Sequence, residues 1–210
     1  MATSARSRLT YIIAALTVVA YVVARMIWPT DVISEQAGFI PLRFSAAATG
    51  FVVPAILTPL SATLAHGDLI HLGFNMLMLV YCGRSVETVL GPWQLAVLYV
   101  VGAYIAAAAQ YIVGPMSPNP MIGASGAISA VLAVYALLFG RNEVKRWGPV
   151  PAHWVRAIWL AIAWTAIQWM IGLVSARGGD YQIATAAHVG GFLGGLALAR
   201  PLLAWRYRNA

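Results

Sequence analysis

The sequence predicts an all-α membrane protein, one domain over 1–210 built as a bundle of six transmembrane helices. A short fourth helix carries a serine. Three observations predict this. Of 210 residues, 61% are apolar and 9% charged, whereas ordinary domains are nearer half apolar and a quarter charged. Long apolar runs recur, with lengths suited to a hydrocarbon core of about 30 Å. The basic residues behind the net charge of +7 flank these runs instead of forming a patch. They therefore read as orientation signals and not as a nucleic-acid surface.

The expected helices cover about 9–28, 61–81, 92–113, 125–140, 154–174 and 181–203. The first follows Arg6 and Arg8, exceeds a signal-peptide core in length, and lacks a clear small-residue cleavage site. Between Pro29 and Leu60 the chain is mixed. Gly50, Pro54 and Pro59 interrupt its apolar stretch, which reads as a long loop lying partly in the interface. The second helix is expected to end at Gly83-Arg84. On the fifth, Trp154, Trp159, Trp164 and Trp169 fall every fifth position. Steps of about 140° spread them around the helix as membrane filler. Cys82 is the only cysteine, so neither an intramolecular disulfide nor a thiolate metal cluster is available.

Six spans place both termini on one side. Arg6, Arg8, Arg84, Arg141, Lys145, Arg146, Arg156, Arg200, Arg206 and Arg208 then share that side, and Arg25, Arg43 and Arg177 lie opposite. The positive-inside rule makes both termini cytoplasmic. A seventh span over 44–60 would break this bias.

The chain is organised around Met121-Ile122-Gly123-Ala124-Ser125-Gly126-Ala127. From Ser125 to Gly140 is about 16 residues, or roughly 24 Å of helix, short of a full crossing. This helix must begin below the outer surface, and the loop 114–120 must dip to meet it. Irregular backbone at that depth is tolerated only inside protein or beside water.

Helices two, four and six all run inward from the outer side, and their outer parts are polar. Helix two carries His66, Asp68, His71 and Asn75; helix four carries Ser125; helix six carries His188. Each residue alone has a plain explanation. A serine bonds its own backbone, a histidine packs, an asparagine joins helices, and Asp68 caps a helix start. Together, at similar depth on three helices of one direction, they read as a site. His71 and Asn75, at i and i+4, share a face. Ala187, Gly191, Gly195 and Ala199 form one ridge of small residues on helix six, and Gly190 with Gly194 a second. Such ridges let backbones approach closely, which would bring His188 to Ser125.

Other chemistries fit less well. His66, His71 and His188 do not form a His-Glu-x-x-His zinc motif, and i, i+5 is a poor ligand pair. Asp31, Asp68 and Asp180 lie in or near loops, not paired within helices. An ion path needs deep carboxylates, which these helices almost lack. Attack by Ser125 with His188 as base remains, with no metal and no cofactor.

Four motifs then occur in order: His66-x-x-x-x-His71-Leu-x-x-Asn75-Met76, Val86-Glu87-x-x-x-Gly91, Gly123-Ala124-Ser125-Gly126, and Ala187-His188-x-Gly190-Gly191. Over about 61–203 the chain resembles the rhomboid family of intramembrane serine proteases. The resemblance implies a Ser-His dyad of Ser125 and His188 without an acidic third member. It implies oxyanion donors at His71, Asn75 and the Ser125 backbone N–H, and a supporting His66. Glu87 and Gly91 match a structural motif on the cytoplasmic side, and Gly123 and Gly126 serve backbone geometry. The implied partners are the lipid bilayer and single-span membrane proteins cut near the outer end of their helix, with a bacterial-type plasma membrane as the setting. The loops 114–122 and 175–181 would frame a water-filled cavity, the second acting as a lid through Gly178 and Gly179.

Two departures stand out. Family members often place an aromatic residue four after the serine, against the histidine; here it is Ser129. His188 must then be oriented from elsewhere, by Phe192 or the fifth helix. The Trp-Arg pair of some members is absent from 29–60. The rival reading is a proteolytically silent relative that binds membrane clients in quality control or trafficking. Such relatives lose the serine or the histidine, and this chain has both.

Overall fold

Backbone groups in a bilayer find no water to bond, so a spanning segment must close its own hydrogen-bond ladder. The structure, a computed structural model, describes residues 8–45, 50, 53–140, 144–178 and 184–208. The helices are α1 (Arg8–Ile27), α2 (Thr30–Ala37), α3 (Leu42–Ser45), α4 (Thr58–Ser61), α5 (Leu69–Leu90), α6 (Pro92–Val113), α7 (Ser125–Phe139), α8 (Ala152–Gly178) and α9 (Thr185–Arg206). Four of them, α1, α5, α6 and α9, are long and apolar enough to cross a membrane, and α7 is a shorter apolar helix. Large apolar side chains such as Leu16, Met26, Phe74, Leu77, Trp159 and Ile162 face outward. That surface suits lipid and would be an aggregation liability in water.

The core runs through the middle of the bundle. Leu79, Val86 and Leu90 of α5 meet Leu95 and Leu98 of α6, Val131 and Val134 of α7, and Leu202 of α9. The two small-residue ridges of α9 each take a different neighbour. A Cβ added at Gly191 or Gly195 would run into the carbonyl oxygens of Gly126 and Ala130 on α7. One added at Gly190 or Gly194 would meet Ala109 or Ile105 on α6. Likewise a Cβ at Gly126 would lie 2.7 Å from that of Ala106, and one at Gly102 2.7 Å from that of Ala130. With lipid outside, close backbone packing of this kind is what holds apolar helices together.

The loop before α7 is sewn to the loop after α1. Phe39 and Met121 form an antiparallel bridge, with N–H to O distances of 2.9 and 2.8 Å. Leu42 N–H donates to Ser117 O at 3.1 Å, and Gly123 N–H to Ala62 O at 2.8 Å. The irregular backbone thus satisfies its polar groups within the protein.

Several boundaries differ from the sequence reading. The second long helix starts at Leu69, not Ser61, because Asp68 is its N-cap and accepts from His71 N–H at 2.7 Å. His66 therefore lies in the turn before the helix. The same helix passes through Gly83 and Arg84 to Leu90. Gly83 marks a close approach, since a Cβ there would sit 3.0 Å from Thr10 Cγ2. Between α1 and α5 the chain forms the short helices α2 to α4, none long enough to span. α8 runs to Gly178, so the first part of the expected lid is helical. The rest of that lid, with residues 181–183 of the expected sixth helix, lies outside the described residues.

Candidate active site

The site grows from the turn that starts α7. Gly123 has φ +107°, a conformation that favours glycine. Its missing side chain is needed as well, because a Cβ there would stand 2.6 Å from His71 Nε2 and 3.7 Å from Ser125 Oγ. The imidazole of His71 thus lies against the serine turn. Ser125 is the first residue of α7, where backbone N–H groups have no partner from the preceding turn and the helix dipole favours negative charge.

Ser125 Oγ lies 2.7 Å from His188 Nε2. This contact joins residues 63 apart, and the Gly191 and Gly195 packing of α9 on α7 makes it possible. The other ring nitrogen, His188 Nδ1, lies 2.9 Å from Gln168 Oε1 on α8. Trp164, one turn earlier on α8, donates its indole N–H to His188 O at 3.2 Å and stacks on Phe192, with ring centroids 5.0 Å apart and 14° between planes. Nothing local in the sequence marks Gln168, and the five-residue spacing of Trp164 reads as membrane filler. The signal that could have found them was Ser129, which left His188 without its expected neighbour. Ser129 Oγ instead donates to Ser125 O at 2.8 Å.

His66 and His71 pack edge to face, with centroids 5.0 Å apart. His66 is buried. Its Nδ1 faces Leu64 O and its Nε2 accepts from Ala124 N–H, both at 3.5 Å. It braces the residue before the serine. His71 Nδ1 accepts from Gly67 N–H at 3.5 Å, so its neutral ring carries the proton on Nε2, the nitrogen beside Gly123. Asn75 Nδ2 donates to His71 O at 2.8 Å, and its buried Oδ1 has no hydrogen-bond partner among the described residues. Asn75 is thus near His71 on one face of α5, with its amide nitrogen on its own helix. A small cavity of about 10 Å³ adjoins Ser125, lined by Thr63, Ala103, Ala106, Gly126, Ala127 and Ala187 among others. That is roughly the room one water needs.

The arrangement holds a hydroxyl against a base, with candidate donors on the other flank, the pattern of nucleophilic catalysis. Comparison with known proteins points the same way. Residues 54–205 match the family model described as Rhomboid domain. The chain is 31% identical over 139 residues to Rhomboid protease GlpG of Pectobacterium atrosepticum, covering 66% of this chain and 46% of that protein. It is 28% identical over 153 residues to Rhomboid-type serine protease 2 of Emericella nidulans, covering 70% of this chain and 25% of that protein. The matched part thus spans less than half of either relative.

Proposed function

Because the chain belongs to the rhomboid family, we propose that this multi-pass membrane protein is an intramembrane serine endopeptidase. Its substrates are single-span membrane proteins, cut near the outer end of their transmembrane helix. The observation that carries this reading is the 2.7 Å contact between Ser125 Oγ and His188 Nε2.

On this reading His188 Nε2 takes the hydroxyl proton as Ser125 Oγ attacks the scissile carbonyl carbon. The same proton passes to the leaving amine as the C–N bond breaks, leaving an acyl-enzyme. Water then attacks the ester and gives one proton to His188; that proton returns to Ser125 Oγ as the ester C–O bond breaks, and the product leaves as a carboxylic acid that ionises in water. The oxyanion forms at the N-terminus of α7, where the Ser125 N–H and His71 Nε2–H are the nearest donors, with Asn75 behind them. The cavity beside Ser125 takes the small side chains of a segment that unwinds easily. Its alanine and glycine lining supports that preference.

The membrane arrangement on this reading has six spans: α1, α5, α6, α7, α8 and α9. The excess of Arg and Lys on one side puts both termini in the cytoplasm of a cell membrane.

The test is cleavage of a single-span substrate by the purified protein in detergent. Wild type cleaves and Ser125→Ala does not. Undiminished cleavage by Ser125→Ala would overturn the mechanism. A fluorophosphonate probe separates a protease from a silent client-binding relative: it labels Ser125 in the first case, and the labelling disappears in His188→Ala.

A further inference from the structure

We propose that Gln168 is the residue that orients the catalytic base, so that α8 supplies the third member of a Ser125-His188-Gln168 hydrogen-bonded line. The proposal rests on the protease reading for the role of His188, and it adds a positioning residue on a different helix.

The argument begins with donors and acceptors. Gln168 Oε1 is an amide oxygen and can only accept, so at 2.9 Å the proton between it and His188 belongs to Nδ1. A neutral imidazole with its proton on Nδ1 has its lone pair on Nε2. That nitrogen is the one 2.7 Å from Ser125 Oγ, so the hydroxyl donates to it. A single hydrogen bond from α8 therefore selects the tautomer that can act as a base. An amide carbonyl does this without a buried charge, whose desolvation at membrane depth is costly. Gln168 is itself buried, 4% exposed.

The register between helices fixes the glutamine. Trp164 and Gln168 are four apart on α8, and His188 and Phe192 are four apart on α9, so each pair shares a face. The helices meet in two rungs, Trp164 on Phe192 and Gln168 on His188. The Trp164 indole also holds the His188 carbonyl at 3.2 Å. The aromatic rung sets the height of the polar one, and α8 grips His188 by both ring and backbone. On α7 only the Ser125 hydroxyl is seen to bond the ring, since Ser129 turns back onto Ser125 O.

The experiment uses the full chain in detergent with a single-span substrate and three variants: Gln168→Leu, Gln168→Glu and Ser125→Ala. Gln168→Leu keeps the volume and removes the acceptor. Its kcat falls about 10- to 100-fold, less than the 10²- to 10⁴-fold that the base itself supplies. KM stays at its wild-type value, the thermal midpoint falls modestly because the Nδ1–H is left without its acceptor, and fluorophosphonate labelling of Ser125 slows in proportion to kcat. Gln168→Glu restores an acceptor, with the cost of a buried carboxyl, and recovers part of the rate. Ring ¹⁵N shifts of His188 show the Nδ1–H form in wild type and a mixture in Gln168→Leu. Wild-type kcat and labelling in Gln168→Leu overturn the proposal, as does an Nε2–H ring in the wild type. A wild type that neither cleaves nor labels overturns the protease reading instead, and the ring shifts still decide the role of Gln168.

Discussion

The carboxylate of Glu87 closes the first turn of α1 from 77 residues away: Oε2 accepts from Thr10 N–H at 2.9 Å and from Thr10 Oγ1 at 2.7 Å. Oε1 takes Leu9 N–H at 2.9 Å. An anion at a helix N-terminus satisfies orphan donors and complements the dipole. Glu87 and Thr10 are both buried, so losing the acceptor leaves donors without water. Glu87→Ala is expected to cost about 2–3 kcal/mol, read as a lower unfolding midpoint in detergent. His71 is 16 positions earlier on α5, roughly 24 Å along the axis. The kcat of the remaining folded protein should therefore hold, and a loss of kcat without loss of stability would refute a purely structural role.

The glycines of α9 make a sharper contrast. Alanine at Gly191 or Gly195 drives a methyl group into a backbone carbonyl of α7, which no rotamer change relieves. Either variant should lose about 1–3 kcal/mol to overpacking and most of its activity, because α9 carries His188 away from Ser125. At Gly73 on α5 an added Cβ meets nothing within 4 Å. There, alanine should be neutral or stabilise by up to about 1 kcal/mol through its better helix propensity. Thermal midpoints of the three variants check both halves.

What the sequence disclosed follows from how local each signal was. The ridges at Gly190, Gly191, Gly194 and Gly195 are written in one helix at fixed spacing, and both found partners. Motif residues on three helices were legible because membrane-buried polarity is rare. The start of α5 was misread because an apolar run says nothing of where the backbone turns helical. The short side chain of Asp68 decides that through one hydrogen bond. Gly83 looked like a terminus, yet the glycine serves contact with Thr10 on α1, a long-range fact with no local trace. Gln168 was hidden for the same reason. A lone amide among tryptophans gains meaning only when α8 and α9 are in register.

His66 predicts a pH dependence of stability. Burial, followed by the neighbouring His71, pushes it down from 6.5 to about 4. Between these values the unfolded chain binds a proton that the folded one refuses, so stability rises with pH across the window. It is fully present above 6.5 and lost as pH falls towards 4, by roughly 3 kcal/mol at most. Protonation would also set a donor at Nε2 against Ala124 N–H, which that nitrogen now accepts. His66→Gln should reduce, without abolishing, the dependence of the unfolding midpoint on pH between 4 and 6.5. An unchanged slope would assign the effect to another group.

The two α5 residues near the serine turn should differ in what their loss does. His71 presents Nε2–H beside Gly123, and on the proposed mechanism the substrate's carbonyl oxygen becomes an oxyanion on that flank of Ser125. His71→Ala is expected to lower kcat by about 10²- to 10³-fold, the usual effect of removing one oxyanion donor, with KM little changed. The amide nitrogen of Asn75 holds His71 O, so it must turn before it can reach a reacting oxygen, and its contribution is smaller. Asn75→Ala should lower kcat about tenfold, short of the full effect of one donor. In the double variant the losses should fall short of the sum, because adjacent groups that serve one charge are coupled. Initial rates on a single-span substrate, with kcat and KM separated, decide the matter. A rise in KM at constant kcat for His71→Ala would move that residue from the transition state to substrate binding.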